Sequence, residues 1–249
     1  VAKKRLDKIL LERGMLLSRE LAQSLIIRGD VLVNNTPVTK PGQATSEDAE
    51  IRIRGELPKY VSRGGDKLEG ALIDLSIELN GEVVLDVGAS TGGFTDCVLQ
   101  HGASFVYAVD VGKAQLAEKL RQDPRVKSIE ELHAKDLKSE LFSQPINLAV
   151  IDVSFIGLRK VLPYVVRVLT PPFRILALVK PQFELGPEFV EAGGVVSDES
   201  LQLEAVAVVA DFVKTLDCKV IAQTPSKLKG AKKGNQEYFV LISDVRNPY

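Results

Sequence analysis

Four ionisable residues, Lys67, Asp152, Lys180 and Glu237, stand where this 249-residue chain passes between apolar runs and polar turns. Asp152 follows the apolar run 148–151, Lys180 follows 175–179, and Glu237 opens the run 238–242 behind Gly234-Asn235. Lys67 follows Ser62-Arg63-Gly64-Gly65-Asp66 at the start of a predicted helix. One charge at a strand end is ordinary surface, but charges ending two neighbouring strands of an open sheet face a common cleft. An amine flanked by acids suits work on a hydroxyl, which is a poor nucleophile until its proton leaves. Lys180 is the candidate either to take that proton or to orient the hydroxyl. Asp152 would position Lys180, and Lys67 and Glu237 would hold the network, with much of the rate coming from placement of the reacting atoms.

A second set of residues points to a ligand. The apolar run 83–87 leads into Asp86-Val87-Gly88-Ala89-Ser90-Thr91-Gly92-Gly93-Phe94, a turn whose glycines let backbone approach a bound molecule. Asp110 ends the next run, 22 residues beyond Gly88, and with Val111 beside it is placed to accept the hydroxyls of a ribose. The spacing Gly88-x-x-x-Gly92-Gly93 departs from the G-x-G-x-x-G of pyrophosphate-binding turns. A cofactor without phosphate but with a sulfonium charge fits better, since Asp86 and its neighbours favour a cation, and S-adenosylmethionine is expected above NAD. Asp136, and after it His133, are the candidates to reach an adenine edge.

The elements that must carry these residues are legible in the apolar pattern. Runs at 83–87, 105–109, 148–151 and 175–179 read as buried parallel strands with helices between them. The stripe Leu203, Val206, Val209, Phe212, Val213 and Leu216 predicts a sheet-covering helix over 199–216. Late runs at 220–222 and 238–242, with no helix between, predict a closing antiparallel hairpin on a doubly wound α/β sheet. Before all of this, residues 1–57 read as a small α+β unit of two short helices and a hairpin, joined by a linker containing Gly55 and Pro58 to a larger domain over 58–249.

Once the core of the small unit is assigned, Arg5, Ser18, Arg19, Gln23, Arg28 and Lys40 are left as a polar set suited to phosphate oxygens. Residues 1–60 hold 11 Lys or Arg against 8 Asp or Glu, although the whole chain carries a net charge of −1. With Arg5-Leu6-Asp7, Gly14, Ser18-Arg19, Gly29-Asp30-Val31 and Lys40-Pro41, residues 5–53 resemble an S4 RNA-binding domain. That likeness implies docking on structured RNA by shape and phosphate contact.

The whole chain resembles the TlyA family, in which an S4 domain precedes an FtsJ-like (RrmJ-like) methyltransferase domain. The most specific stretches are Tyr60-Val61-Ser62-Arg63-Gly64-Gly65, residues 86–97 and 106–112, Asp152-Val153-Ser154-Phe155-Ile156, residues 178–184 and Gly234-Asn235-Gln236-Glu237-Tyr238. The resemblance implies a Rossmann-like class I methyltransferase sheet. It also implies 2′-O-methylation of cytidine in ribosomal RNA with S-adenosylmethionine, and a Lys-Asp-Lys-Glu tetrad on Lys67, Asp152, Lys180 and Glu237. Lys113-Ala114 and His133 depart from the family pattern beside the expected cofactor pocket. Some members carry a haemolysin label, which would be a function of another class.

Composition narrows the alternatives. No apolar run reaches the roughly 18 residues of a membrane span, so a membrane partner is not expected and lysis finds no support. Cys97 and Cys218 are single and widely spaced, so neither a disulfide nor a metal site is expected, in keeping with a cytoplasmic protein. Ribosomal RNA or a ribosomal subunit is the expected partner, with no sign of an obligate protein partner. An S4 module with an inactive enzyme domain and a nicotinamide oxidoreductase are the remaining rivals.

Overall fold

Leu6, Ile9 and Leu10 recur at helical spacing and are buried in α1 (Leu6–Glu12), while Ala22, Leu25 and Ile26 do the same in α2 (Arg19–Ile27). Gly14 and Gly29, in the left-handed region at φ 65° and 79°, follow the two helices and let the chain turn away. A computed structural model describes residues 3–16, 19–55, 57–230 and 234–245; Ser18, one of the phosphate candidates, lies outside them.

The chain divides into two compact units, Val1–Val61 with Ala117–Lys119, and Ser62–Leu116 with Leu120–Tyr249. In the first, β2 (Val31–Val33) and β3 (Thr36–Val38) form the expected hairpin. Asn34 and Asn35 sit at its turn with φ 48° and 63°, the backbone a two-residue hairpin requires. The strand β5 (Ile51–Ile53) pairs with the other side of β2. Sequence reading missed the short ladder of β1 (Lys3–Arg5) with β4 (Ala44–Ser46), because three-residue polar strands carry no apolar alternation. Leu6, Leu10, Leu16, Ala22, Leu25, Ile26, Val31 and Val38 make one small core.

The second unit is an α/β domain on a seven-stranded sheet. Its strands are β6 (Val83–Val87), β7 (Phe105–Val109), β8 (Val126–Ile129), β9 (Leu148–Ile151), β10 (Arg174–Val179), β11 (Cys218–Pro225) and β12 (Tyr238–Asp244). They lie in the order β11-β12-β10-β9-β6-β7-β8; β10, β9, β6, β7 and β8 run parallel, and β12 is antiparallel to both β10 and β11. The predicted closing hairpin is therefore present, with β12 rather than β11 inserted against the parallel strands. The chain leaves β6 toward β7 and β8, then returns on the other side to form β9. Between β6 and β9 the strand order reverses, which is where open α/β sheets bind ligands.

Helices α3 (Arg63–Asp74), α4 (Gly93–Gln100), α5 (Glu118–Arg121), α6 (Leu162–Val168), α7 (Pro181–Glu184) and α8 (Glu199–Lys214) complete the chain. Ala205, Val206, Val209 and Val213 bury one stripe of α8, but Leu203, expected in that stripe, is 45% exposed. Gln202 takes its place in the interior, where its amide donates to Val196 O at 2.8 Å and its carbonyl accepts from Tyr238 Oη. A paired polar group there costs little.

Candidate active site and nucleic-acid contacts

The turn after β6 is built by backbone. Gly88 and Ala89 N–H donate to Val109 O at 2.9 and 3.1 Å, fastening the turn to the end of β7. Gly88 has φ 86°, and a Cβ there would stand 2.5 Å from Asp152 O, so only glycine lets the β6 and β9 ends meet. Ser90, at φ 48°, donates its N–H to Asp110 Oδ2 at 2.8 Å, and Gly112 N–H donates to Oδ1 at 2.7 Å. The Asp110 carboxylate is thereby fixed, with acceptor lone pairs remaining on both oxygens.

These residues border a cavity of about 760 Å³, within the range of small-molecule sites. Of the expected cofactor residues, Gly88, Ser90, Asp110, Val111 and His133 line it, together with Asp152. Its apolar walls include Val87, Leu132, Ala134 and Tyr164, a slot suited to a flat ring.

Other expected residues lie outside that lining. Gly92, at φ 97°, holds the turn that starts α4, and a Cβ on Gly93 would lie 2.2 Å from Ser62 Oγ and 2.9 Å from Gly65 N. That second glycine admits the N-terminal turn of α3, which bears Lys67. Phe94 is buried, with its ring 6.0 Å from that of Phe239, and Ala89 is buried in the turn. Asp136 is exposed at the end of the short turn Ala134–Asp136 and outside the lining, whereas His133 is in it.

Asp86 is wholly buried and absent from the lining. Its Oδ2 accepts from Thr95 Oγ1 at 2.6 Å, while Oδ1 has no hydrogen-bond partner among the described residues. Burial, opposed by the Thr95 bond and reinforced by the nearby Asp152 charge, raises its carboxyl to about 7. The cation-favouring role expected of it therefore cannot be direct contact at the cavity wall.

The four catalytic candidates form two close pairs. Lys180 Nζ lies 2.5 Å from Asp152 Oδ1 and donates to Ser154 Oγ at 2.9 Å. Lys67 Nζ donates to Glu237 Oε2 at 2.5 Å, and Lys67, Lys180 and Glu237 are all buried. Val179 opposes Tyr238 at the last paired step of β10 and β12. One residue further on, that register brings Lys180 and Glu237 to neighbouring positions at the rim. Asp152 N–H donates to Val87 O at 3.0 Å, so its strand end is locked to β6. Asn235 steadies the approach to Glu237: its Oδ1 accepts from Val196 N and its Nδ2 donates to Gly194 O. Sequence reading gave no role to Ser154 or Thr95, although a hydroxyl two residues past Asp152, and another in the first turn after the glycines, were signals to hand.

In the N-terminal unit, three of the phosphate candidates converge on a buried carboxylate. Asp7 accepts from Arg5 Nε at 2.9 Å and Nη2 at 2.8 Å, from Gln23 Nε2 at 3.1 Å and from Arg19 Nε at 3.3 Å. The Arg5 guanidinium, followed by Gln23 and Arg19, holds the Asp7 carboxyl well below the usual carboxylate range despite its burial. Both arginine side chains remain about half exposed, at 46% and 50%. Arg28 pairs with Asp30 and Lys40 is exposed; neither joins the Asp7 cluster.

Residues 60–243 match the FtsJ-like methyltransferase family, and residues 4–51 match the S4 domain. The chain is 41% identical over 239 residues to the 16S/23S rRNA (cytidine-2′-O)-methyltransferase TlyA of Mycobacterium tuberculosis, covering 96% of this chain and 89% of that protein. It is 42% identical over 238 residues to Hemolysin A of Brachyspira hyodysenteriae, covering 94% and 98%. Among solved structures, one described as a hemolysin from Streptococcus thermophilus is 37% identical, with a TM-score of 0.77, and covers 99% of this chain and 90% of its own. An S-adenosylmethionine-dependent methyltransferase structure from Listeria monocytogenes, at 14% identity and TM-score 0.52, covers 74% of this chain and 99% of its own and shares the fold.

Proposed function

Because the chain belongs to the FtsJ-like methyltransferase family, in its S4-bearing TlyA group, we propose that it methylates the 2′-hydroxyl of a cytidine in ribosomal RNA, using S-adenosylmethionine. The observation that carries this reading is the Lys180–Asp152 pair, 2.5 Å apart, with Asp152 in the wall of the cavity between β6 and β9.

The cavity residues fit an adenosyl group. Asp110 offers fixed acceptors for a ribose diol, Gly88 offers bare backbone, and Val111, Leu132 and Ala134 offer an apolar slot for the ring. When bound, S-adenosylmethionine supplies an electrophilic methyl on sulfur. The chain's own part is to hold the acceptor oxygen in line with it. Lys180 Nζ donates to Ser154 Oγ and lies 2.5 Å from Asp152 Oδ1 as an ion pair. A further position on Nζ is left for the substrate hydroxyl. An unprotonated Nζ would present its lone pair there, take the hydroxyl proton as the oxygen–carbon bond forms, and pair with Asp152 as the ammonium that results. Lys67 and Glu237 brace the same rim from α3 and β12.

The exposed guanidiniums of Arg5 and Arg19 are the proposed phosphate contacts of the S4 domain, with a ribosomal subunit or its RNA as partner. A cytoplasmic site of action accords with the two buried free cysteines and that substrate. Among the described residues, no helix is long and apolar enough to cross a membrane.

Incubation with radiolabelled S-adenosylmethionine and separated small and large ribosomal subunits, followed by mapping of the label, tests the proposal. Label on a cytidine 2′-oxygen is expected. Label on a base, or none on either subunit, would dismiss it.

A further inference from the structure

Two cations that the methyl-transfer chemistry does not use stand on a ridge between two cavities. The first is the cavity walled by Asp152 and Ser154, the partners of Lys180. The second, of about 830 Å³, is walled by Gln182 and Phe183, which follow Lys180 in α7. Arg159 and Lys160 line both. They belong to the short turn Leu158–Lys160, which is fastened to α7. Leu158 N–H donates to Glu184 Oε1 at 2.5 Å, and a Cβ on Gly157 would stand 2.8 Å from Phe183 O. The ridge is therefore fixed with respect to the segment that carries Lys180. Arg159 Nη2 donates to Glu184 O at 2.8 Å, and its Nε lies 3.7 Å from Glu184 Oε2. Those contacts aim the guanidinium while 45% of the side chain stays exposed. Lys160 is exposed, and its ammonium has no ion pair or hydrogen bond among the described residues.

Resting on the methyl-transfer reading above, we propose that Arg159 and Lys160 receive the phosphodiester on the 3′ side of the target ribose. In RNA the 2′-hydroxyl and the 3′-phosphate sit on adjacent ring carbons, so a hydroxyl delivered to Lys180 brings that phosphate with it. An anion there stands close to the Asp152 carboxylate, and cations on the same rim offset the repulsion. Arg159 is a planar fork held at its inner edge by Glu184, which leaves its outer N–H groups for phosphate oxygens. Lys160 adds a mobile point charge beside it. Contacts of this kind carry no base information; they fix the register of the strand, so that one hydroxyl and not its neighbour faces the methyl donor.

The test uses the full-length protein and the ribosomal subunit that accepts the label, with binding and methylation measured separately over a range of salt. Lys160→Gln is expected to raise KM for the subunit about 3- to 10-fold, the span of one half-exposed charged contact, with the loss falling on KM rather than on kcat. Lys160→Arg should restore it. Lys160 makes no side-chain contact within the fold, so its variants separate phosphate binding from stability. Arg159→Gln combined with Lys160→Gln should flatten the slope of log affinity against log salt by about 0.7 to 0.9, the share of one phosphate. S-adenosylmethionine affinity should stay within about twofold in every variant. A wild-type KM in Lys160→Gln, or a wild-type salt slope in the double variant, would overturn the assignment. So would a matching loss of S-adenosylmethionine affinity, which would place the two cations on the cofactor instead. Absence of any methyl transfer by wild-type protein would bring down the enzymatic reading, and this assignment with it.

Discussion

Lys67 and Glu237, separated by 170 positions in the chain, meet through a 2.5 Å contact that ties the first turns of α3 to the start of β12. Both side chains are buried, so removing either partner leaves a charge in the interior. Such a loss costs about 3–5 kcal/mol. Lys67→Ala and Glu237→Ala should each lower the urea midpoint accordingly, while Lys67→Met with Glu237→Leu should recover much of the stability but not methyl transfer. A double variant that methylates at the wild-type rate would reduce the pair to a structural clamp.

At Lys180 the expected effect is on chemistry rather than on cofactor binding. Lys180 is outside the cavity lining but reaches Asp152 and Ser154. Lys180→Ala should lower kcat by about 10²- to 10⁴-fold, as loss of a proton-handling group does. S-adenosylmethionine affinity, measured calorimetrically, should change less than about threefold. Single-turnover rates close to wild type would remove Lys180 from the mechanism.

These residues show how much of the site can be read without coordinates. Asp152 and Lys180 end apolar runs and so mark strand termini, and the periodicity behind them defined the parallel sheet. Glu237 and Lys67 stand beside glycine turns, but their pairing depends on where α3 packs, and no local pattern encodes that. Gly93 illustrates the other limit. Its sequence context resembles a ligand turn, yet its missing Cβ makes room for Ser62 and Gly65 of another segment. Leu203 satisfied the helical stripe but fell outside it, since Gln202 faces the interior in its place, held by Val196 O and Tyr238 Oη. Asp7 was passed over because an acid in a basic set reads as surface. Its role emerges only when Arg5, Arg19 and Gln23 are seen to converge on it.

Asp7 should therefore control the RNA-facing arginines. Asp7→Asn loses the charge that holds them and is expected to weaken binding to ribosomal RNA several-fold. The slope of affinity against salt should stay unchanged, because the number of cations on phosphate is the same. Its pH signature has a definite sign. The folded carboxyl lies below its ordinary value of 3.8, so its contribution to stability is complete above that pH and is lost as pH falls further. The stability gap between wild type and Asp7→Asn should be constant from pH 5 to pH 8 (about the neutral range) and narrow below about pH 4. A gap that widens in acid would contradict the assignment.

Asp86 should behave in the opposite way. Its folded carboxyl is raised from 3.8 to about 7, so the folded state keeps a proton that the unfolded chain has already released. Below the unfolded value both states are neutral and nothing is lost. As pH climbs from about 4 to 7, the contribution of this group to stability declines, by roughly 4 kcal/mol in all, and then levels off. Asp86→Asn can still accept from Thr95 Oγ1 and has no charge to bury, so that decline should vanish. Relative to wild type, the variant should gain stability steadily across this window and melt at a higher temperature at pH 8. Parallel pH profiles for the two proteins would mean that Asp86 is already ionised in the fold at pH 5, with its charge met by the surrounding dipoles.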